Sequence, residues 1–356
     1  MVLDRGGAET LVMNLYRHMD RSKIQFDFLV HGDQKGAYED EILALGGRIY
    51  HLPLLTLRTL WRYNQALKTF FENHKEYKIV HAHNSELGNF ALRQAQRAGV
   101  PHRICHAHNA PVGISVKNLI RDVFKAHADL YTTERLACSE TAGKWQFGKK
   151  TFSVIHNGID CMNFRYNEEN RKKMRQALKL DEKFVLGHVG RFVPQKNHTF
   201  LLRIFRAVLG RGKNAVLLLV GDGPLRQKLQ AQCKQLGLYS KVLFLGVRDD
   251  VPAILSACDV FVFPSLFEGL GIGLIEAQAS GLPCFARNNI PPQAAVTDLC
   301  SFLSSGDPEE WAERICSISY TERKKYYQKV FEAGYDISTS VDKLTDLYRC
   351  MQGERC

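Results

Sequence analysis

The 356-residue chain lacks the features that place a protein in a membrane or outside the cell. No run approaches the ~20 uninterrupted apolar residues of a membrane-spanning helix, and no basic segment followed by an apolar one stands at the N-terminus. Ten cysteines are present but form no C-x-x-C pair. Because they are scattered through apolar segments, we interpret them as reduced thiols, and the sequence predicts a cytoplasmic protein.

Low-complexity linkers and short-period repeats are also absent. With 356 residues, 45% of them hydrophobic, the chain is long enough for two domains with separate cores. Its net charge of +11 favours an anionic partner: a nucleoside diphosphate, an anionic lipid headgroup or nucleic acid. No basic stripe interleaved with aromatic residues stands out, so nucleic acid is not expected.

Short apolar runs alternate with longer amphipathic ones, which is typical of parallel α/β domains. The pattern occurs twice. In the first half it predicts strands at Phe26–His31, Arg48–Leu52, Ile79–His83, Arg103–His108 and Arg135–Cys138, and helices at Trp61–Asn73 and Leu87–Ala98. In the second half it predicts strands at Phe184–Val189, Val216–Val220, Val242–Leu245, Val260–Phe263 and Pro283–Ala286. A turn at Ile155–Asp160, before a charged helix at Glu168–Leu180, marks the domain boundary.

The most informative segment follows the strand Val260–Phe263, where Glu268 and Glu276 flank the stretch Gly269-Leu270-Gly271-Ile272-Gly273-Leu274-Ile275. Glycines before a helix let a ligand approach the backbone, and the helix N-terminus presents free N–H groups to it. We expect Glu268 on the loop and Glu276 about two turns into the helix. Because burying carboxylates without partners is costly, this pair predicts a site that holds a polyhydroxylated ligand.

Four segments resemble those of a known family. Phe267-Glu268-Gly269 through Glu276-Ala277, followed by Gly281-Leu282-Pro283, resembles the signature of the retaining GT-B glycosyltransferases of family 4. Gly190-Arg191-Phe192-Val193-Pro194-Gln195-Lys196-Asn197 resembles the family's phosphate-binding segment, Val220–Leu225 its second donor loop, and Arg5–Thr10 its N-terminal glycine loop. The motifs occur in the expected order over nearly the whole chain.

The resemblance implies an α/β protein of GT-B fold, with two facing Rossmann-like domains and a central cleft. It implies an N-terminal acceptor-side domain at 1–163, a nucleotide-sugar-binding domain at 164–334, and a C-terminal helix at 335–356 that returns to the first domain. The implied activity is transfer of a sugar, with retention of anomeric configuration, from a UDP- or GDP-sugar to a glycan or lipid-linked acceptor. The implied role is synthesis of surface polysaccharide, either capsule or exopolysaccharide.

Arg191 and Lys196 are the predicted diphosphate ligands. Arg191 follows a strand and a glycine, so it emerges at the carboxyl edge of the sheet, and Lys196 stands just before a helix. Their positive charge stabilises a leaving diphosphate, and with no Asp-x-Asp in a metal-binding setting we expect no required metal. The donor-binding set implied by the resemblance is Gly6, Gly7, Arg191, Lys196, Gly221, Gly223, Glu268, Gly269, Leu270, Gly271 and Glu276. The implied catalytic set is His108, Glu268, Arg191 and Lys196.

Two H-x-H pairs, His81/His83 and His106/His108, end two predicted strands. Residues two apart on a strand share a face, so each pair points one way. One interpretation is a zinc cluster of a metal-dependent hydrolase. The other follows from the family, in which a histidine after a Gly-x-Pro turn contacts the transferred sugar. Gly99-Val100-Pro101 precedes His108 and Asn109 at about that distance, and the choice between His108 and His106 stays open. For His81, His83 and His156 a structural role is expected.

Two further features of the sequence concern the identity of the nucleotide-sugar donor and contact with a membrane. A nucleotide-sugar epimerase of the same fold would share the donor residues. Many relatives carry Gly-Gly and then Glu where this chain reads Asn288–Gln293, so a neutral Gln293 replacing a glutamate would change donor choice.

Basic and aromatic residues at Leu57–Tyr63 and Val116–Arg121 predict peripheral membrane association, against the competing interpretation of a helix packed on the sheet.

The start of the chain is short. Only Met1–Asp4 precede the glycine loop, where a strand normally supplies about 5–6 residues, and in a doubly wound domain that first strand is central to the sheet. Its absence would leave backbone groups unpaired and a slot in the core unfilled. We therefore expect that the sequence is truncated, the competing interpretation being a shortened but active variant.

Overall fold

Two compact units make up the chain, residues 1–158 with 337–356 and residues 159–336. The computed structural model describes residues 3, 7–56, 58–83, 88–108, 129–319 and 322–354. Both units are built from parallel strands and helices, which confirms the predicted class of two Rossmann-like α/β domains. In the described ranges, no helix is both long and apolar enough to cross a bilayer.

The first unit contains two separate parallel sheets. β1 (Phe28–His31) pairs with β2 (Ile49–Leu52), and the second sheet has the order β3 (Ile79–Ala82), β4 (His102–Ala107), β5 (Glu134–Ala137) and β6 (Ser153–Val154). The helices are α1 (Gly7–His18), α2 (Glu39–Ala44), α3 (Leu60–Asn73), α4 (Gly88–Arg97), α5 (Glu140–Phe147) and α14 (Ile337–Met351).

α14 belongs to the first unit because its apolar face is buried there. Ile337, Val341, Leu344 and Tyr348 recur at helical spacing and pack in one cluster with residues of α1, β4 and β5. The Tyr348 hydroxyl lies 2.6 Å from Nδ1 of His81. The last helix of the chain therefore completes the core of the first unit.

The second unit has one six-stranded parallel sheet in the order β12-β11-β10-β7-β8-β9. The strands are β7 (Phe184–Val189), β8 (Ala215–Val220), β9 (Val242–Gly246), β10 (Val260–Phe263), β11 (Cys284–Arg287) and β12 (Cys300–Leu303). The helices are α6 (Cys161–Phe164), α7 (Glu168–Ala177), α8 (His198–Gly210), α9 (Arg226–Gln235), α10 (Val251–Ala257), α11 (Ile272–Ala279), α12 (Pro308–Cys316) and α13 (Tyr326–Val330). β8 and β10 are buried throughout, as expected for strands covered on both faces.

The units divide at residues 158 and 336, a few residues from the 163 and 334 expected from sequence. The Ile159 N–H donates to the Tyr335 carbonyl at 2.8 Å, and the Cys161 N–H donates to the Asp336 carboxylate at 3.1 Å. Residues 159–163 are thus hydrogen-bonded into the second unit.

The predicted strands agree with the observed ones within two residues at each end. The short strands β6 and β12 were missed, because two to four partly exposed residues carry little periodic signal. Among the described residues, eight cysteines are free thiols: Cys105, Cys138, Cys161, Cys233, Cys258, Cys284, Cys300 and Cys316. Cys350 is disulfide-bonded, so the expectation that every cysteine is reduced is wrong for it.

Arg323 ties two helix ends of the second unit together. Its guanidinium donates to the carbonyls of Leu255, Ser256 and Cys258 at the end of α10, and to that of Ser280 at the end of α11, at 2.8 to 3.2 Å. The side chain is buried, and this burial lowers its pKa to about 10, so it stays charged at neutral pH. Arg323 therefore links carbonyl groups at the ends of both helices, and it shares those of Ser256 and Cys258 with Arg171.

We predict that Arg323→Met destabilises the protein by about 1–3 kcal/mol, because the Ser280 carbonyl loses its side-chain donor and the Ser256 and Cys258 carbonyls keep only Arg171. Arg314→Met, which removes an exposed arginine of α12, is the matched control, and we expect its effect to stay within about 0.5 kcal/mol. Urea denaturation measures both. Equal stabilities for the two variants would contradict the anchoring role of Arg323.

Candidate functional site

Most of the predicted donor residues lie on three loops of the second unit. The loops follow β7, β8 and β10, which are neighbours in the sheet, and all three leave at the strands' carboxyl ends. Ligands of open parallel sheets bind at this edge, next to the point where the strand order reverses. Here β7 has β8 on one side and β10 on the other, so it stands at such a point.

The loop after β7 packs tightly against the loop after β8. The Phe192 N–H donates to the Asp222 carbonyl at 2.9 Å, and the Leu225 N–H donates back to the Phe192 carbonyl at 3.1 Å. Gly221 has φ +127°, and a Cβ there would lie 2.3 Å from the Gly190 oxygen. A Cβ at Gly223 would lie 2.7 Å from the Phe192 oxygen. Both glycines are therefore required by the contact between the two loops.

On its other side the β7 loop contacts the loop after β10. The Leu266 N–H donates to the Gln195 carbonyl at 2.8 Å. The Gln195 side chain donates to the Phe267 carbonyl at 2.9 Å and to the Glu268 carboxylate at 3.3 Å. Gln195 was not predicted as a site residue, although it lies within the predicted phosphate-binding segment. Backbone and side-chain bonds thus fix residues 190–197 from both sides.

Lys196 and Glu268 form an ion pair at the centre of this arrangement. Lys196 Nζ lies 2.7 Å from Glu268 Oε1, and the two side chains are only 18% and 8% exposed. The ammonium also lies 5.0 Å from the centre of the Phe263 ring, a cation–π distance. Because the pair is largely buried, removing either partner would leave an uncompensated charge.

Arg191 differs from Lys196 in having no partner in the described part of the chain. It is exposed on the loop directly after β7, and its guanidinium makes no hydrogen bond or ion pair with the residues that the structure describes. A free guanidinium presents five N–H donors in a planar fork that suits phosphate oxygens. The loop therefore carries two cations five residues apart, an unpaired guanidinium at Arg191 and an ammonium at Lys196 that Glu268 neutralises.

Glu276 lies little more than one turn into α11, because that helix begins at Ile272. The expectation of two turns is wrong, since Gly271 adopts a left-handed conformation with φ +93° and delays the start of the helix. Burial raises the pKa of Glu276 to about 7, and the charge of Lys196 acts in the opposite direction. Lys196 thus influences both carboxylates of the predicted pair.

Of the remaining predicted donor residues in this segment, Leu270 is 3% exposed and packs in a core cluster with Cys161 and Ile275. Its side chain is therefore committed to the core, and any ligand contact at this position is through the backbone. Gly269 is partly buried on the same loop. Gln293, considered as a replacement for a glutamate, is exposed, and its carbonyl accepts a hydrogen bond from the Tyr335 hydroxyl at 3.1 Å.

Two buried histidines behind the β7 loop were also missed. His188 Nδ1 lies 2.8 Å from the Val262 carbonyl, and the His188 and His198 rings meet edge to face at 4.8 Å. Burial lowers the pKa of His188 to about 4 and that of His198 to about 2. A histidine within the apolar strand β7 is the sequence signal that could have located this pair.

The H-x-H histidines form one cluster in the first unit. His81 Nε2 lies 3.1 Å from His106 Nδ1, and His83 Nδ1 lies 2.9 Å from His108 Nε2. Burial lowers all four pKa values, to about 3 for His81 and about 4 for His108. All four rings are therefore neutral at pH 7.

Nitrogen atoms of His81, His83 and His106 lie within 4.8 Å of one another, close enough to hold one metal ion. However, both nitrogens of His81 already contact other side chains, Tyr348 and His106.

His108, the predicted sugar contact, is 6% exposed at the end of β4. Its neighbour Asn109 and the glycine Gly6 lie outside the described residues, whereas Gly7 is the first residue of α1.

Two family models together cover most of the chain. The model "Glycosyltransferase Family 4" matches residues 5–162, and "Glycosyl transferases group 1" matches residues 169–336. Among solved structures, Anabaena HepE in complex with UDP and glucose superposes with a TM-score of 0.79 at 22% identity, over 96% of each chain. This likeness shows the fold.

Curated relatives give closer matches. The putative glycosyltransferase EpsF of Bacillus subtilis is 37% identical over 97% of this chain and 94% of its own length. The Escherichia coli UDP-Gal:α-D-GlcNAc-diphosphoundecaprenol α-1,3-galactosyltransferase is 30% identical over 77% of this chain and 76% of its own length. With its fold, its ordered loops and these matches, the chain belongs to the group 1, family 4 type of GT-B glycosyltransferases, enzymes that transfer sugars.

Proposed function

We propose that this enzyme transfers a hexosyl group from a UDP- or GDP-sugar to a glycan or lipid-linked acceptor, with retention of anomeric configuration, in the synthesis of surface polysaccharide. A UDP-sugar donor and a diphosphoundecaprenol-linked acceptor appear in the name of the E. coli relative, which supports both assignments. We further propose that the enzyme works in the cytoplasm, at the inner face of the membrane.

One observation carries the donor assignment: the β7 loop carries exposed Arg191, which has no partner among the described residues, and Lys196, which pairs with Glu268 and lowers the pKa of Glu276. In the proposal Arg191 and Lys196 bind the diphosphate, and Glu276 accepts hydrogen bonds from the ribose hydroxyls. Glu268 lies nearer the transferred sugar, and His108 contacts that sugar as a neutral imidazole. Because two cations stabilise the leaving diphosphate, the proposed reaction requires no metal.

The proposed reaction forms one bond and breaks one on the same face of the sugar. The bond between the anomeric carbon and the diphosphate oxygen breaks through an oxocarbenium-like state, and the acceptor oxygen bonds to that carbon. The proton of the acceptor hydroxyl passes to a leaving phosphate oxygen, so the enzyme supplies no nucleophile. Arg191 and Lys196 stabilise the negative charge that develops on the diphosphate.

An epimerase of the same fold is the competing function that shares these donor residues. It needs no acceptor, whereas a transferase consumes donor only when an acceptor is present. A metal-dependent hydrolase has less support, because the matched families and relatives are sugar transferases.

The experiment that tests the function offers a panel of UDP- and GDP-sugars, each with and without undecaprenyl-diphosphate-linked sugar as acceptor. We expect one donor to be consumed only when the acceptor is present, and we expect this reaction to proceed in the presence of EDTA. NMR of the product should show that the transferred sugar has kept its anomeric configuration. Conversion of UDP-GlcNAc without acceptor would show an epimerase instead. Loss of activity in EDTA and its return with zinc would contradict the proposal of metal-free transfer.

We predict that Arg191→Ala, Lys196→Ala and Glu276→Ala each weaken nucleoside diphosphate binding by about 10- to 150-fold, because a charge-assisted hydrogen bond contributes about 1.5–3 kcal/mol. Calorimetry measures the affinity, and circular dichroism checks that each variant is folded. Arg206→Ala removes an exposed arginine of α8 and should bind as the wild type does. Wild-type affinity in all three variants would remove the donor assignment.

The raised pKa of Glu276 predicts a pH-dependent affinity. Below pH 7 the carboxyl group of the free enzyme is mostly protonated, and ribose hydroxyls favour its ionised form, so binding must release a proton. We expect the ratio of wild-type to Glu276→Gln affinity to grow by up to tenfold per pH unit up to about pH 7 and then to level off. Protonation of the ligand affects both affinities equally, so it cancels in this ratio. A ratio that stays constant from pH 5.5 to 8.5 would contradict the role of Glu276.

Peripheral membrane association is a separate proposal, and exposed side chains of α3 support it. On α3, Tyr63, Leu67 and Phe71 are buried in the core, so this helix packs on the sheet. Trp61 on the same helix is nevertheless 72% exposed, with Arg62 exposed beside it. An exposed tryptophan next to basic groups is typical of residues at an anionic bilayer surface. The second predicted segment, Val116–Arg121, lies outside the described residues.

We predict that the protein floats with anionic vesicles at low salt and that Trp61→Ser with Arg62→Glu reduces the bound fraction at least threefold. Tyr239→Ser, which removes a 56% exposed aromatic side chain of the second unit, should have no effect. Flotation of phosphatidylglycerol vesicles measures all three proteins. If the wild type stays unbound at low salt, or if both variants bind equally, this surface is not the membrane contact.

A further inference from the structure

The four clustered histidines of the first unit come from the carboxyl ends of two neighbouring strands. β3 and β4 pair in parallel, and His81 and His83 share one face of the first while His106 and His108 share one face of the second. The ring centres of neighbouring histidines lie 4.1 to 5.3 Å apart. The pairing of the strands thus brings four imidazole rings to one place.

Two of these rings hold nitrogen atoms close to the separation that a shared metal ion requires. His81 Nε2 lies 3.1 Å from His106 Nδ1. Two ligands of a tetrahedral zinc ion, each about 2.0–2.1 Å from the metal, lie roughly 3.3 Å apart. Ligand nitrogens of His81, His83 and His106 all lie within 4.8 Å of one another, and the broad outer torsion of histidine lets a ring turn closer. The contact at His81 Nε2 is therefore one between two candidate ligands, which a metal ion would replace.

The outer nitrogens of two of the rings also have partners. The Tyr348 hydroxyl lies 2.6 Å from His81 Nδ1, and His108 Nε2 lies 2.9 Å from His83 Nδ1. Histidines that bind a metal commonly donate their second ring N–H to a neighbouring acceptor, which fixes the tautomer and orients the ring. With Nδ1 protonated in His81 and His83, Nε2 of each ring carries the lone pair that a metal ion takes.

Hydrogen bonds leave one buried atom of the cluster without a partner. His106 Nε2 makes no hydrogen bond to the residues that the structure describes, although His106 is fully buried. Buried polar atoms without a partner are uncommon and call for an explanation. Burial also lowers the pKa of His81, His83 and His106, so these rings are neutral at pH 7, the form that binds a metal ion.

We propose that His81, His83 and His106 form a binding site for one zinc ion or a similar divalent cation, with water as the fourth ligand. His81 and His83 are partly exposed, so solvent reaches the site. Imidazole nitrogens suit zinc, cobalt(II) and nickel(II), whereas magnesium and calcium take oxygen ligands. The described group contains histidines and no carboxylate, so the site selects the first class of ions.

A bound ion would tie three elements of the first unit together. β3 carries His81, β4 carries His106, and Tyr348 of α14 contacts the ring of His81. Because the ligands come together only in the folded chain, binding stabilises that chain by mass action. The site does not depend on the proposed transfer reaction, which requires no metal, and its test measures bound metal and not turnover.

The test adds zinc, cobalt(II) or magnesium to the 356-residue chain, freed of metal and prepared without a polyhistidine tag. We expect calorimetry to show one zinc ion per chain and no binding of magnesium. At a free zinc concentration of about 100 times Kd, Tm should rise by about 5 °C or more. The cobalt(II) form should show the visible absorption of tetrahedral coordination without the near-ultraviolet bands of thiolate ligands, which separates this site from the free cysteines.

Two variants locate the site. Tyr348→Phe removes only the outer hydrogen bond and should weaken zinc binding about 10- to 100-fold. His83→Phe keeps a ring in the stack but removes a ligand, so its loss of affinity should be larger. His18→Gln, which changes an exposed histidine of α1, is the control and should bind as the wild type does. Circular dichroism checks that each variant is folded, and Tyr348→Phe with the cobalt(II) spectrum decides the test if His83→Phe is not.

Three results would overturn the proposal. The wild type could fail to bind zinc at micromolar concentrations, the cobalt(II) form could show thiolate bands, or the folded site variants could bind zinc as tightly as the His18 control. The histidines would then be a cluster held by hydrogen bonds and stacking alone.

Discussion

The site depends on the fixing of one loop, residues 190–197, by hydrogen bonds to the loops on both sides of it. Phe192 exchanges backbone bonds with the β8 loop, and Gln195 contacts the β10 loop through its carbonyl and its side chain. The contact with the β8 loop is possible only because positions 221 and 223 carry no Cβ. A loop held from both sides loses little further freedom when a ligand binds, so the interaction energy goes into affinity.

Charge at the site is arranged around Lys196. This single ammonium is hydrogen-bonded to Glu268 and lowers the pKa of Glu276, which burial raises. The buried charges are therefore nearly balanced before any ligand arrives, and the exposed guanidinium of Arg191 is the free charge on the loop. In the proposed donor site, a diphosphate would meet Arg191 first and would then compete with Glu268 for Lys196. Such competition would couple diphosphate binding to the position of the Glu268 carboxylate.

Sequence reasoning predicted the two-unit α/β fold and the loop positions, because alternating apolar runs and strand-end glycines are local signals. It placed Glu276 one turn too deep, since Gly271 adopts a left-handed conformation and the helix begins only at Ile272. It missed Gln195 and His188, whose side chains bond to residues 72 to 74 positions away in the chain, and His198, which packs against His188. It interpreted Leu270 as a donor residue, although long-range packing commits that side chain to the core. Contacts between distant segments leave no periodic trace in the sequence.

The four stacked imidazoles of the first unit have a consequence for the protein in acid. Each of His81, His83, His106 and His108 has a pKa below its ordinary value in the folded state because it is buried. Unfolded chains take up these protons near pH 6.5, whereas the folded chain resists them until the pH is much lower. Folding free energy is therefore lost as the pH falls below about 6.5, with up to four protons favouring the unfolded chain at once. Since the rings lie in contact, a proton on one ring would repel a proton on the next, and the resulting pKa values belong to the cluster rather than to single rings.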